Sequence, residues 1–113
     1  MGLGASAPHW VFVEAERPEA APDEREREAR RRCLTFYERR GCQRLHADFQ
    51  APPLGPGLPI VPYWILVRPL REPDLSPPAL RLALSDLYRE AYGLGEGHPL
   101  VKHCLETFRP GRP

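Results

Sequence analysis

A few side chains in this sequence could carry acid–base chemistry. Tyr37 lies in a segment with helical spacing, and Glu14 and Glu16 end an apolar run. A phenol fixed on a helix can protonate a leaving group, and a carboxylate at a strand end can deprotonate an amine directly or through water. The residues alone leave two alternatives open: Tyr37 could pack its ring at the edge of the core, and both glutamates could be solvated.

The cysteines and histidines indicate neither a disulfide framework nor a metal centre. Three cysteines, an odd number, stand at positions 33, 42 and 104, which does not suit a set of paired disulfides. His98, His103 and Cys104 are close in sequence but lack zinc-site spacing. We therefore predict no metal, and a reducing, cytoplasmic compartment.

Charge and length restrict the partners that the chain can have. Its 113 residues carry 16 basic and 15 acidic side chains, a net charge of +1, so it has no overall field for nucleic acid or an anionic membrane. No apolar run reaches the roughly 18 residues of a membrane-spanning helix. The Arg/Glu-rich segment places Glu26–Arg30 and Glu28–Arg32 at i,i+4, which is typical of a solvated helix face. We predict neither a nucleic acid nor a membrane as partner.

The first half of the chain predicts a strand, a helix and a second strand. Residues 9–15 are apolar and β-rich around Trp10 to Val13. Asp23 is a good N-cap for a helix over 24–40, and Gly41 suits its C-terminus. Apolar residues lie on one face of this helix at positions Ala29, Cys33, Phe36 and Tyr37. Residues 42–50 alternate apolar and polar, which predicts a half-buried strand.

The second half predicts a third strand and two helices. Residues 51–59 hold four Pro and two Gly and cannot be regular structure. Residues 63–67 are nearly all apolar, which predicts a central strand, antiparallel to the preceding one. Ser76 caps a helix that Pro77 begins. An apolar stripe then predicts its buried face, at Leu80, Leu84, Leu87, Tyr88 and Ala91. A last helix over 99–108 should bury Leu100, Val101, Cys104 and Leu105.

The expected fold is therefore α+β. It has a mixed or antiparallel sheet of about three strands, a helix that crosses between the first two strands, and a C-terminal helical pair. We predict one domain over 1–113, with a disordered start at 1–8, a strand-helix-strand-strand core at 9–70 and helices at 76–108. The first strand should leave an exposed edge, through which the chain could form a homo-oligomer or aggregate.

One segment resembles a known family. Residues 34–45, LTFYERRGCQRL, predict a helix that ends in F-Y-x-x-x-G and leads directly into a strand. This pattern resembles the last motif of the GNAT superfamily of acetyl-CoA-dependent N-acetyltransferases. FVEAERPE at 12–19 resembles the preceding strand in a bacterial GNAT branch, and residues 48–70 resemble its closing strands with their Pro/Gly loop. The helical tail from Ser76 also fits, so the resemblance covers about residues 9–108.

The resemblance implies acetyl transfer from acetyl-CoA to a primary amine of a small molecule or a protein. In this interpretation Tyr37 is the general acid that protonates the departing CoA thiolate, and Glu14 or Glu16 is the candidate base. Family members often carry Asn and Ala on this helix where they touch the CoA arm. The positions seven and four before Tyr37 are Arg30 and Cys33 here, and with Phe36 they are the candidate cofactor contacts.

The sequence departs from the family at the site of the CoA pyrophosphate. GNAT enzymes hold this group on backbone amides of a (Q/R)-x-x-G-x-(G/A) turn before a helix, an anion site of the kind helix N-termini provide. Gly2 to Ala5 is similar, but a strand follows it at His9. The resemblance therefore implies the C-terminal half of a GNAT domain, with a mis-set start or a fragment boundary at Met1. The alternative function is a non-catalytic accessory or interaction domain derived from this fold.

Overall fold

Three antiparallel strands form one sheet, and helices cover both of its faces. The computed structural model describes residues 10–69 and 76–109. The strands are β1 (Trp10–Glu16), β2 (Gln43–Ala51) and β3 (Val61–Pro69), and the helices are α1 (Glu24–Glu38), α2 (Pro77–Tyr92) and α3 (Pro99–Thr107). The α+β fold with a three-stranded sheet and a C-terminal helical pair is confirmed. The expected disordered start lies outside the described residues, as does part of the segment between β3 and α2.

The strand order is β1-β3-β2, so the last strand lies in the middle. Trp10 to Glu16 pair with Pro69 to Tyr63, and the β2–β3 pairing is interrupted by a register shift between Leu45 and Phe49. Ile65, Leu66 and Val67 are at most 2% exposed. Because successive residues of a strand face opposite sides, this run is buried only if both faces are covered, as predicted for a central strand.

The larger core lies between the sheet and the helices α2 and α3. Leu45, Ala47 and Phe49 contribute alternate side chains from β2, as their spacing predicts. Helix α2 buries Leu80, Leu84, Leu87 and Tyr88 against them, and α3 buries Val101 and Cys104. Ala91 was expected in the same stripe but is exposed, and in this last turn of the helix Tyr92 packs against the core instead.

The smaller core lies between the opposite face of the sheet and α1. It consists of Ala15, Leu34 and Leu66. The Asp23 side chain caps α1 as predicted, accepting a hydrogen bond of 2.8 Å from the Glu26 backbone nitrogen. The predicted apolar face is wrong at Cys33 and Phe36, which are exposed; Leu34 is the buried residue of the helix, and Tyr37 packs against the same core. The observed buried face is rotated from the predicted one by about 100°, which is the angle between consecutive residues of a helix.

Two substitutions on α2 test this division into a buried and a solvated face. Leu84 is fully buried and Leu82 is 60% exposed. We expect Leu84→Ala to lower the free energy of unfolding by about 2–5 kcal/mol, the usual range for a core Leu→Ala change, and Leu82→Ala to change it by less than about 0.5 kcal/mol. Urea unfolding followed by circular dichroism measures both. Equal, small losses for the two variants would mean that α2 does not complete the core.

Candidate functional site

Tyr37 lies at the C-terminal end of α1 with its ring half-buried. The ring packs against the smaller core, as Val13 and Trp64 also do, and it meets the Phe36 ring edge-on with 5.2 Å between centroids. Within residues 10–69 and 76–109 its hydroxyl group makes no hydrogen bond. The phenol is thus held by its ring and keeps a free polar end.

The side of α1 that carries Tyr37 faces β1. Glu38, the next residue, accepts a hydrogen bond of 3.1 Å from Arg44 of β2, so the Glu38 side of the helix faces β2. Consecutive residues are rotated by about 100°, which turns Tyr37 and, one turn earlier, Cys33 away from β2. Tyr37 and Cys33, together with Ala29, form what we call the β1-side flank of α1.

Two of the three predicted cofactor contacts are accessible on or next to this flank. Cys33 is exposed, and Phe36 is 47% exposed. The Arg40 guanidinium lies over the Phe36 ring at 3.5 Å from its centroid, a cation–π contact that still leaves an apolar surface in solvent. An accessible thiol and an aromatic ring thus lie within one turn of Tyr37.

Arg30, the third predicted cofactor contact, is engaged by the protein itself. Its guanidinium donates to the Glu26 carboxylate at 3.0 Å, to the Arg17 carbonyl at 3.0 Å and to the Glu16 carboxylate at 3.2 Å. Its side chain is 15% exposed. Arg30 thereby ties α1 to the end of β1, and Glu16 is the acidic candidate that reaches the α1 side of the sheet.

Glu14 contacts the opposite face of the sheet from Tyr37. Its carboxylate accepts a hydrogen bond from the Tyr92 hydroxyl at the end of α2. Burial, followed by the hydrogen bond to Glu14, raises the pKa of Tyr92 well above its usual value, so Tyr92 stays protonated and donates. The structure therefore does not bring Glu14 and Tyr37 together.

A polar network that sequence reasoning missed joins the strand ends to α3. The Arg17 guanidinium donates to the Asp48 carboxylate at 2.8 Å and to the Tyr63 carbonyl at 3.1 Å. The other Asp48 oxygen lies 2.7 Å from His103 Nε2 on α3 and accepts a hydrogen bond of 2.9 Å from the side-chain amide of Gln50. These residues form what we call the Asp48 cluster.

The Asp48 cluster lacks the nucleophile that a His–Asp pair would activate. The hydroxyl group of Thr107 is already engaged: it donates to the Cys104 carbonyl and accepts from the Asp48 backbone nitrogen at 2.8 Å. Burial raises the pKa of the Cys104 thiol to about 12, so this cysteine is a neutral core residue. The cluster is a structural tie between β2 and α3, and no local spacing in the sequence indicates it, because His103 and Asp48 are 55 positions apart.

The arginines of α1 mostly serve ion pairs along the helix. An open groove of about 620 Å³ between α1 and β2 is lined by Arg27, Arg31 and Arg44 among others. Arg27 binds Glu24, while Arg31 binds Glu24 and Glu28. The Glu26–Arg30 pair is present as predicted, but Glu28 pairs with Arg31 rather than with Arg32.

Neither a metal site nor a membrane span is found in the described part of the chain. Residues 10–69 and 76–109 contain no group of three or more side chains that could hold a metal ion. No helix among them combines the length and apolar character needed to cross a bilayer. Comparison with protein-family models, curated proteins and solved structures finds no match to the chain.

The Asp48 cluster gives a pH dependence with a defined sign. Burial raises the pKa of Asp48, but hydrogen bonds from His103 and Arg17 outweigh burial and lower it below 3.8. The carboxylate therefore stabilises the fold fully above pH 3.8, and this contribution is lost as the pH falls through the folded-state pKa. We expect Asp48→Asn to be less stable than the wild type at pH 7, with the difference shrinking toward pH 2.

Urea unfolding at a series of pH values measures this difference. Glu19→Gln is the matched control, because Glu19 is exposed and forms no ion pair in the described residues. Its stability should follow the wild type across the series. A difference in unfolding free energy between Asp48→Asn and the wild type that stays constant down to pH 2 would show that the negative charge contributes nothing to stability.

Proposed function

We propose that this chain forms the C-terminal part of a GNAT-type N-acetyltransferase domain, which transfers the acetyl group of acetyl-CoA to a primary amine. The element order supports this proposal: a strand, a crossing helix, two antiparallel strands and a helical pair follow one another, as the resemblance at residues 34–45 implies. The transfer needs no covalent enzyme intermediate, because the cofactor carries the activated acyl group and the protein supplies orientation, a base and an acid.

The observation that carries the proposal is the setting of Tyr37. A general acid for the CoA thiolate needs a fixed phenol with a free hydroxyl facing the reacting sulfur. Tyr37 has a packed ring and makes no hydroxyl hydrogen bond within the described residues. A buried tyrosine usually bonds its hydroxyl group to the protein, as Tyr88 does with the Gln50 backbone, whereas half-buried Tyr37 leaves its hydroxyl group accessible to a ligand.

The CoA arm would then run along the β1-side flank of α1. Cys33 and Phe36 are accessible there and remain the proposed cofactor contacts. Arg30 is left out because its guanidinium already binds three protein groups. Glu16 is the proposed base. Its carboxylate is held by Arg30, which is seven residues from Tyr37, about 10 Å along the helix. At this distance Glu16 would act through water.

A thiol-protection experiment tests cofactor binding without turnover. Cys33 is exposed, Cys42 is half-buried and Cys104 is buried, so Cys33 should react first with iodoacetamide. We expect desulfo-CoA, which has no thiol to exchange, to slow alkylation of Cys33 while leaving Cys42 unchanged. Adenosine alone, which lacks the pantetheine arm, is the control ligand and should protect weakly. Unchanged alkylation at millimolar desulfo-CoA would contradict a cofactor site on this flank.

Tyr37→Phe tests the proposed acid. It removes one hydroxyl group and keeps the ring, so packing beside Phe36 and Trp64 should survive. We expect turnover with acetyl-CoA and a primary amine to fall about 100-fold or more, the scale of a lost general acid, with a nearly unchanged KM for acetyl-CoA. A free thiol has a pKa of about 8.5, so the loss should be larger at pH 6.5 than at pH 8. Equal turnover of both proteins at both pH values would remove Tyr37 from the mechanism.

The second candidate function is a non-catalytic interaction domain. It is favoured by the unpaired outer edge of β1 in the described structure, and by the absence of a glycine-rich phosphate turn before a helix in residues 10–69 and 76–109. Isothermal titration with acetyl-CoA separates the two functions: micromolar binding supports the enzyme, whereas no heat at millimolar concentration supports the interaction domain.

A further inference from the structure

The two edges of the sheet are treated differently by the rest of the chain. Along the outer edge of β2, the backbone groups of three alternate residues, His46, Asp48 and Gln50, are hydrogen-bonded by residues from the C-terminal part of the chain. Arg109 donates its backbone N–H to the His46 carbonyl at 2.7 Å, and Thr107 Oγ1 accepts from the Asp48 nitrogen at 2.8 Å. The Tyr88 hydroxyl accepts from the Gln50 nitrogen at 3.0 Å and donates to the Gln50 carbonyl at 2.8 Å.

The outer edge of β1 has no such cover in the described structure. β1 pairs with β3 alone, and no backbone hydrogen bond reaches its other side from residues 10–69 or 76–109. Its seven residues, WVFVEAE, contain neither Pro nor Lys, which commonly protect an edge strand, and their two charges, Glu14 and Glu16, lie in its C-terminal half. An edge with unpaired N–H and C=O groups is a template for another strand, and the apolar run of β1 at residues 10–13 favours such pairing.

We propose that the partner of this edge is a second copy of the same chain, paired antiparallel through β1 about a twofold axis at Val13. Antiparallel strands related by a twofold axis must place one residue opposite its own copy, because only residues of like hydrogen-bonding character pair. An axis at Val13 is the only choice that pairs all of residues 10–16.

The charges of β1 select the same register. With the axis at Val13, Glu14 lies opposite Phe12 of the second copy, and Glu16 lies opposite Trp10. An axis at Glu14 would instead place the two Glu14 carboxylates directly opposite each other, an arrangement that destabilises a strand pair. The Val13 register also aligns Val11 with Ala15 of the second copy, which continues the apolar row on the α1 side of the sheet.

The β1-side flank of α1 adds a second surface to the same contact. In an antiparallel pair about a twofold axis, corresponding faces of the two sheets lie on the same side, so the two α1 helices lie side by side above the joined strands. The flank with Cys33 and Tyr37 faces the second copy, and Phe36, 47% exposed, lies next to it. The strand pairing itself requires only the β1 backbone, and it places the second copy beside the flank along which the CoA arm is proposed to run.

Disulfide trapping tests the register. In the background Cys33→Ser, Cys42→Ser, oxidation should cross-link Val13→Cys chains rapidly, because directly opposite Cα atoms are about 4.5–5.5 Å apart and disulfides span about 4.4–6.8 Å. Val11→Cys is the matched control on the same face of β1. In the proposed register its two copies are about 14 Å apart and should not cross-link. Equal cross-linking of the two variants, or none at Val13, would overturn the register.

Sedimentation velocity of the full chain tests the dimer itself. We expect the wild type to shift from monomer to dimer with rising concentration. Val13→Asp, which places two carboxylates on the axis, should remain monomeric at the same concentrations with an unchanged circular dichroism spectrum. A wild type that stays monomeric throughout, or a Val13→Asp variant that folds and dimerises normally, would overturn the proposal. Failure of the acetyl-transfer proposal would show in the titration with acetyl-CoA and would leave these results unchanged.

Discussion

The fold depends on β3, the strand that provides every strand pairing in the described sheet. β1 and β2 never meet, and each is hydrogen-bonded to β3. The side chains of β3 alternate between the two cores, with Ile65 and Val67 in the larger and Leu66 in the smaller. Because β3 follows β1 by more than forty residues, the sheet closes only after α1, β2 and the Pro/Gly loop are in place. Such non-local pairing makes a slow step in folding.

With β3 in the middle, β1 and β2 are both edge strands. The C-terminal part of the chain hydrogen-bonds to the outer edge of only one of them, β2. Helices α2 and α3 cover one face of the sheet, and Tyr88, Thr107 and Arg109 reach around to the outer edge of β2. Helix α1 covers the other face but has no residue bonded to the backbone of β1 in the described structure. The β1-side flank of α1, with Tyr37 and Cys33, is turned toward the same side of the sheet. The proposed acid and the proposed dimer contact therefore lie on the same side of the molecule.

Local patterns predicted the elements well and the orientation of α1 poorly. The alternation in residues 42–50, the apolar run at 63–67 and the caps at Asp23 and Ser76 each have a direct physical cause within a few residues, and the structure agrees with all four. Helix α1 buries little apolar surface, so the periodic pattern of apolar residues that would mark its buried face is weak. The single Leu34 decided which side faces the sheet, although Ala29, Cys33, Phe36 and Tyr37 are more regularly spaced.

Long-range polar contacts were beyond the reach of sequence. The Arg17–Asp48 pair spans 31 positions and the Glu14–Tyr92 pair spans 78, and no spacing rule connects residues so far apart. The same limit applies to the candidate site, because whether Glu14 and Tyr37 share a face depends on which side of the sheet α1 packs. The candidate residues could be chosen from the sequence. Only the structure shows that Glu14 and Tyr37 lie on opposite faces of the sheet, and that Arg30 binds Glu16 and Glu26.

Within residues 10–69 and 76–109 one edge of the sheet is closed, and we propose that the other binds a strand. Residue-resolved hydrogen exchange of the backbone amides, measured on dilute and concentrated protein, tests it most directly. The Asp48 and Gln50 amides face outward from β2, but we predict that both are protected at every concentration, because Thr107 and Tyr88 accept their hydrogen bonds. Alternate amides of Trp10–Glu16 should exchange quickly in dilute protein and become protected as its concentration rises. Slow, concentration-independent exchange along the whole of β1 would contradict the account.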